Sequence, residues 1–397
     1  MHITVTNNNG SVVLNLNGRL DIAANAQAVA DIESLLAQCG VIRDLTCDAG
    51  GLDYISSSGL RILMGLSKRY NNFSVVNCKS DVYQVFDLTG FTKIMPIKKA
   101  LRHLSVDGCQ VIGAGGVGTV YRLDEDTIIK VFREETTIDE VQTEITMAKE
   151  SFVLGMPTAI SYDIVHVGNR LGLVYELLNA DTLSRCASKE PERIDEFARM
   201  YAQLFKQLHS IHVPLNSVIP SALEAEVKAV KHIGRYFDAA DIDLLLRVVD
   251  CIPAGDRLLH CDLQTKNAMM QNGELMLIDM GEVGYGHPLV DLGHSYSSMV
   301  SLVGPYEEII GMPAELGHDL WHRMIGYYFE GCSAAELAHR LEQIKAVSVV
   351  RNFSWLALSD SFPESLISEC QQLFEERVTR HKDEIMAICQ TLDDFAI

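Results

Sequence analysis

The sequence predicts an α/β domain over residues 1–105, followed by a larger α+β domain of two lobes over residues 110–397. Three observations predict it. Strands and helices alternate through the first stretch, as in a compact α/β layer. The alternation lapses from Leu104 to Gln110, where Ser105, Asp107 and Gly108 are turn formers. Beyond the lapse, a Gly-rich, strand-forming stretch leads into mostly helical segments, broken by one strand-rich island between Arg257 and Gly281.

Each element has its own signal. Ile3-Thr4-Val5-Thr6 and Val12-Val13-Leu14-Asn15-Leu16 flank an Asn-Gly turn, the pattern of a hairpin. Val29, Ile32, Leu35 and Leu36 fall three to four apart and predict a helix over residues 24–38. A strand is expected over residues 42–47, a helix from Ser58 carrying Leu60, Ile62, Leu63 and Leu66, and a strand over residues 73–77. Ser80 caps a short helix reaching Leu88, and a last helix is expected over residues 97–104. In the second domain, strands are expected within residues 111–130, a helix over 138–154, and strands over 160–165 and 171–177. From Arg193 onward the segments outside the strand-rich island read as helices.

A chain of 397 residues exceeds one ordinary hydrophobic core, so two domains are expected. Its 33 Lys plus Arg against 53 Asp plus Glu leave a formal charge of -20, which argues against nucleic acid as a partner. A cationic substrate would be attracted, although acidity most often serves solubility. The ten cysteines are scattered without a C-x-x-C pair, so no metal site or redox dithiol is signalled. Scattered thiols fit a reducing compartment, and a cytoplasmic location is expected. The opening residues MHITVTNNNG lack the basic and apolar regions of a secretory signal, and no run of 18 apolar residues predicts a membrane span.

The chemistry is concentrated after residue 110. Gly113-Ala114-Gly115-Gly116-Val117-Gly118-Thr119-Val120 fits G-x-G-x-x-G-x-V. Dinucleotide sites share that spacing, but there the glycines open a helix. Here they precede strand-like Val120-Tyr121-Arg122-Leu123, a turn at Asp124-Glu125-Asp126, and a returning strand bearing Lys130. The glycines would let backbone approach phosphates, and Lys130 would contact the α and β phosphates. The plain alternative for Lys130 is a solvated strand lysine. A lysine in that role needs a carboxylate, and the next helix offers Glu140, Glu144 and Glu150. Glu144 is the candidate, because the small Ala148 one turn on allows close packing; the other two read as solvated.

The strongest signal is His260-Cys261-Asp262-Leu263-Gln264-Thr265-Lys266-Asn267, which fits H-x-D-x-x-x-x-N. An acceptor hydroxyl needs a carboxylate to take its proton, worth roughly 10²–10⁴ in rate, and Asp262 is the candidate base. The amide oxygen of Asn267 can ligate Mg²⁺. A hairpin about Gln271-Asn272-Gly273-Glu274 would bring Asp279-Met280-Gly281 back beside Asn267, with Asp279 as the principal metal ligand.

These motifs resemble the aminoglycoside phosphotransferase and choline-kinase-like branch of the protein-kinase-like fold, over residues 110–397. Ile278-Asp279-Met280-Gly281 matches that branch's I-D-[FW]-[GE], and Pro288-Leu289-Val290-Asp291-Leu292-Gly293 its P-x-x-D-L-[AG], where the aspartate is structural. The resemblance implies a hinge at Leu173-Val174-Tyr175-Glu176-Leu177-Leu178, with the backbone of Glu176 and Leu178 meeting adenine, and ATP and Mg²⁺ as cofactors. Cys261 departs from the branch's usual glycine, a change expected to shift the loop little. No A-P-E segment is present, and little room exists for an activation loop between Asp279 and Asp291, which points to a small-molecule acceptor. Acceptor choice would lie around residues 300–351, where Trp321, His322 and Tyr327 are pocket or core residues, with core favoured.

Residues 1–105 resemble the STAS domain of anti-sigma-factor antagonists, on Gly18-Arg19-Leu20-Asp21 and on Asp53-Tyr54-Ile55-Ser56-Ser57-Ser58-Gly59-Leu60. The resemblance implies a protein partner and makes Ser57 the candidate phosphoacceptor. Ser56 stands where that family has aspartate. A phosphate on Ser57 would face free N–H groups at a helix start, while the bland alternative is that Ser56, Ser57 and Ser58 merely cap the helix.

The leading expectation is therefore an enzyme that phosphorylates a small hydroxyl compound under a regulatory or docking STAS domain. The alternative is a signalling protein whose kinase-like lobe phosphorylates a protein serine, Ser57 included. A nucleotide-binding pseudokinase is disfavoured, because Lys130, Asp262, Asn267 and Asp279 are all present.

Overall fold

The computed structural model describes residues 1–115, 117–358 and 362–395. The chain divides into two compact units, residues 1–105 with 164–168, and residues 106–163 with 169–397.

The first unit is a five-stranded sheet in the order β1 (His2–Asn8), β2 (Ser11–Leu20), β3 (Asp44–Ile55), β4 (Asn72–Cys78), β5 (Ile97–Lys99). β1 and β2 are antiparallel and the later pairs parallel. The hairpin turns at Asn9 and Gly10, with φ of 52° and 92°, so both residues adopt the left-handed backbone of the tightest two-residue turn. Helices α1 (Asn25–Ala37), α2 (Ser57–Arg69) and α3 (Ser80–Leu88) connect the parallel strands. Val12, Leu14 and Leu16 of β2, with Leu45, Cys47 and Ala49 of β3, alternate into a core completed by Ile32, Leu36, Leu63 and Phe86.

The helix expected over residues 97–104 does not form. Ile97 and Leu101 have helical spacing, but the run is too short to separate helix from strand. Pro96 accepts the Val75 N–H at 2.9 Å, and Ile97 and Lys99 extend the sheet edge beside β4. Satisfying that edge outweighs one turn of helix.

In the second unit, antiparallel strands lie in the order Arg170–Glu176, Thr127–Phe132, Gly118–Arg122, Gln110–Ala114. The helix Ile138–Val153 starts on a capping box, with the Thr137 hydroxyl accepting the Glu140 N–H and Glu140 accepting the Thr137 N–H. The remainder is largely helical, around a core holding Tyr201, Phe205, Trp321, Phe353 and Phe374. Trp321 is fully buried and donates to Ser295, Tyr327 is half-buried on Asp195, and His322 is exposed. The strand-rich island supplies the hairpin Ala268–Gln271 with Glu274–Leu277, turning at Asn272 and Gly273, and the pair Arg257–Leu259 with Gly284–Gly286.

Candidate active site

The site is assembled from strand, helix and loop within the second unit. Lys130 lies in the middle of the strand Thr127–Phe132, and its side chain is 12% exposed. Its Nζ donates to both carboxylate oxygens of Glu144 at 3.0 Å and to Asp279 Oδ1 at 3.0 Å. The Tyr175 hydroxyl also donates to Glu144. Burial pushes the Lys130 ammonium towards deprotonation, but Asp279 and Glu144 overcome it and the net shift is upward. Burial likewise pushes the Asp279 carboxyl up, and Lys130, His260 and Lys266 bring it below the usual carboxylate range. Lys130 and Asp279 thus stay charged.

The glycines divide in role. A Cβ on Gly118 would lie 2.3 Å from the Val131 carbonyl oxygen, so only glycine lets the two strands approach. A Cβ on Gly115 would meet nothing within 4 Å, and one on Gly113 would make ordinary contact with Val120. Space therefore lies open over the flap at Gly115. Gly116 lies outside the described residues.

The loop bearing Asp262 is held at both ends. The N–H groups of His260 and Cys261 donate to Asp291 at 2.9 and 2.7 Å. Asp291 is buried and also receives His209 Nε2 at 3.2 Å. Burial pushes the Asp291 carboxyl up, and His209 and the His260 N–H carry it below the usual range. His260 donates from Nε2 to the Ile278 carbonyl and accepts the Asp262 N–H at Nδ1. Cys261 has φ of 61°, a left-handed conformation that favours glycine and costs a cysteine strain. Burial pushes its thiol well up, which leaves it unreactive.

Asn267 Nδ2 donates to the Asp262 carbonyl at 2.9 Å and to Asp262 Oδ2 at 3.0 Å. Gln264 Nε2 donates to both Asp262 carboxylate oxygens at 3.1 Å. The Ile278 N–H donates to the Asn267 carbonyl at 3.0 Å, so the hairpin delivers Asp279 next to this loop. Among the described residues, no three His, Cys, Asp or Glu cluster to hold a metal. The available set is a carboxylate and an amide. The amide nitrogen of Asn267 is committed to Asp262, which leaves Oδ1 for a cation, and Lys130 takes Oδ1 of Asp279, which leaves Oδ2. Two hard oxygens fit Mg²⁺, which completes its shell with phosphate oxygens and water.

Glu176 ends its strand with its carboxylate accepting the Ile160 N–H at 2.7 Å and its own N–H donating to the Ile160 carbonyl at 3.0 Å, which leaves its carbonyl. Leu177 N–H donates to the Asp126 carbonyl, and Leu178 is buried. In the first unit, Ser56 rather than Ser58 is the cap of α2. Its hydroxyl accepts the Gly59 N–H and bonds Ser58, and Ser57 is left exposed in the first turn.

Four residues near Asp262 carried no motif. Arg351 Nη2 lies 2.7 Å from Glu282 and 3.7 Å from Asp262 Oδ1. Glu226 and His294 pair at 2.9 Å behind the loop. Only the placement of Arg351 at the edge of the expected acceptor region could have drawn attention to any of them.

Residues 108–326 match the family described as Phosphotransferase enzyme family, and residues 2–104 match the STAS domain. BtrV of Bordetella bronchiseptica, which carries the name anti-sigma factor antagonist, is 31% identical over 101 residues, 24% of this chain and 85% of BtrV. Among solved structures, aminoglycoside phosphotransferase APH(2'')-Ib in its ADP-bound form is 14% identical with a TM-score of 0.45, over 68% of this chain and 92% of that one. A choline/ethanolamine kinase family protein from Mesorhizobium loti is 17% identical with a TM-score of 0.44, over 71% of this chain and 92% of that one. On the match of more than half its length, which contains the whole constellation from Lys130 to Asp291, this chain belongs to the phosphotransferase enzyme family and carries an N-terminal STAS domain.

Proposed function

We propose that this phosphotransferase moves a phosphoryl group from Mg·ATP to the hydroxyl of a small molecule, and that its STAS domain regulates it or docks a protein partner. The observation that carries the reading is the convergence of Lys130, Glu144 and Asp279 within 3.0 Å, with Asn267 and Asp262 bonded to each other on the adjoining loop. Mg·ATP, when bound, would supply the phosphoryl group and neutralise its charge. Lys130, fixed by Glu144, would bind the phosphates. Asn267 and Asp279 would hold Mg²⁺, the glycine flap would cover the phosphates, and the backbone of Glu176 and Leu178 would meet the base. Asp262, oriented by Gln264 and Asn267, would take the proton of the acceptor hydroxyl.

The acceptor's size is argued from the segment after Asp279. Met280–Glu282 is one short turn, Gly284–Gly286 is a strand, and the helix Leu289–Met299 follows at once. That leaves no long loop to seat a peptide as a protein kinase does. The Arg351–Glu282 pair, with Arg351 largely enclosed and Glu282 exposed, places both charge signs beside Asp262, so the wall there is not simply acidic. No helix among the described residues is long and apolar enough to cross a membrane.

One observation favours a second reading. Ser57 is exposed while its neighbours' hydroxyls bond each other, so it is the free hydroxyl of that turn. A phosphorylated STAS serine, read by a protein partner, would make this a signalling protein. The test is Mg·ATP turnover against a panel of small hydroxyl compounds, with Asp262→Asn as control and phosphate on Ser57 read by mass spectrometry. Turnover of a small molecule that vanishes in Asp262→Asn supports the first reading. Asp262-dependent phosphate on Ser57 without small-molecule turnover supports the second.

A further inference from the structure

The strained peptide before Asp262 is gripped from two sides. Asp291 takes the Cys261 N–H, as described above. On the other side, His294 Nδ1 lies 2.6 Å from the Cys261 carbonyl oxygen, and His294 Nε2 lies 2.9 Å from Glu226 Oε1. Both ring nitrogens therefore face acceptors, and a carbonyl can only accept. A neutral imidazole has one N–H. If that N–H served Cys261, the Nε2 lone pair would face a carboxylate oxygen. If it served Glu226, the Nδ1 lone pair would face the carbonyl. Either arrangement is repulsive at these distances, and both groups are buried. The contacts require one more proton than a neutral ring and a carboxylate together carry.

We infer that His294 and Glu226 form a buried, proton-holding pair that pins the 261–262 peptide, so that the position of Asp262 titrates with that proton. His294 is thereby a positioning residue, acting through Cys261. The inference rests on Asp262 as the base of the proposed reaction only for its effect on turnover.

The surrounding charges support the ionised form. His294 comes from the helix Leu289–Met299 and Glu226 from the helix Ala222–His232. Facing them are Arg351 from the helix Ala334–Ser354, Glu282 from the turn after Asp279, the neutral Cys261 thiol from the loop, and Asp291 one turn back on the helix of His294. The second Glu226 oxygen makes no hydrogen bond of normal geometry among the described residues, so its charge leans on His294 and Arg351, with the Ser354 hydroxyl nearby. Burial pulls the His294 imidazolium down, but Glu226 reverses it and the net shift is upward. Burial pushes Glu226 up, and His294 and Arg351 bring it down. A histidine raised in this way keeps its proton through neutral pH and loses it on the alkaline side.

The test follows hydrogen exchange of the 260–267 amides in the full-length protein at rising pH, corrected for intrinsic exchange, in wild type, Glu226→Gln and His294→Gln. Wild-type protection is expected to fall as the pair loses its proton. In Glu226→Gln the fall should move to lower pH, and in His294→Gln it should disappear, with turnover on Mg·ATP reduced by up to about a hundredfold through misplacement of Asp262. The same pH dependence in all three proteins overturns the inference. Should either variant fail to fold, neutron diffraction of wild-type crystals at neutral pH decides it. Hydrogen on Nδ1 together with hydrogen between Nε2 and Oε1 supports the pair, and no hydrogen between Nε2 and Oε1 overturns it. An absence of Mg·ATP turnover at every pH would sink the functional reading alone, since exchange and diffraction do not depend on it.

Discussion

Cys261 shows how much a single backbone angle decides at this site. Its N–H is held by Asp291, its carbonyl by His294, and its φ of 61° lies where a Cβ crowds the following carbonyl. Such strain persists only when the surroundings over-determine it. Cysteine is small and unbranched enough to fit. Cys261→Val should cost about 2 kcal/mol or more, because a β-branched residue tolerates this region worst. Cys261→Gly should stay within about 1 kcal/mol of wild type, relief of strain offsetting the lost thiol contacts. Denaturant midpoints of the two variants check this, and equal losses would show that volume, not φ, is what matters. Lys130 and Glu144 were legible in the sequence, because strand and helix are adjacent in the chain and 14 residues separate the pair. Arg351 and Asp262 are 89 positions apart by their numbers, and Glu226 and His294 are 68 apart. No local pattern records such contacts. The strain that Cys261 carries is visible only in the backbone, not in the sequence.

Among elements, the helix Leu289–Met299 governs the loop bearing Asp262 more than its burial suggests. Asp291 collects two loop N–H groups and His209 in the core. Asp291→Asn replaces one acceptor oxygen with an N–H₂ that faces donors, and should destabilise the protein by about 3 kcal/mol at neutral pH. The sign of its pH dependence follows from the lowered folded-state pKa. The carboxylate's contribution is complete above the unfolded-state pKa of about 4, and is lost as pH falls through the lower folded value. The stability gap between wild type and Asp291→Asn should therefore close in strong acid, measured by urea unfolding across that range. The glycine flap makes a separate prediction. Gly118→Ala drives a methyl against the Val131 carbonyl and must part the two strands. KM for the nucleotide should then rise several-fold, while Gly115→Ala, which meets open space in the protein, tests contact with the phosphates alone. Asn-Gly turns and helical periods made most of these elements legible, whereas the helix Ser80–Leu88 starts after Lys79 without the Ser80 side-chain cap expected of it. Residues 97–104 were not legible, since an eight-residue run with Ile97, Leu101 and Leu104 as its large apolar positions fits helix and strand alike, and only the open edge beside β4 decides.

At the scale of the whole chain, the two hydrophobic clusters share no residue. One runs from Ile3 to Met95, and the other from Met147 to Phe395. Buried Ile129, Val131, Phe132, Leu173 and Val174 belong to neither cluster, and two separately cored units should lose their structure in two steps. Calorimetry of the full chain is expected to show two transitions. Mg·ATP at roughly a hundred times its Kd should stabilise the transferase unit by about 3 kcal/mol, by mass action on the state that binds it. Lys130, Asn267 and Asp279 all lie in that unit, so its transition alone should move, and the STAS transition should stay in place. Asp279→Asn should abolish the shift if, as proposed, Asp279 is the principal oxygen ligand for Mg²⁺. A single transition that moves as one with Mg·ATP would mean that the STAS domain and the transferase unfold together. Nucleotide binding would then be felt by the unit that carries Ser57, and the first domain would be a candidate sensor of the second one's occupancy.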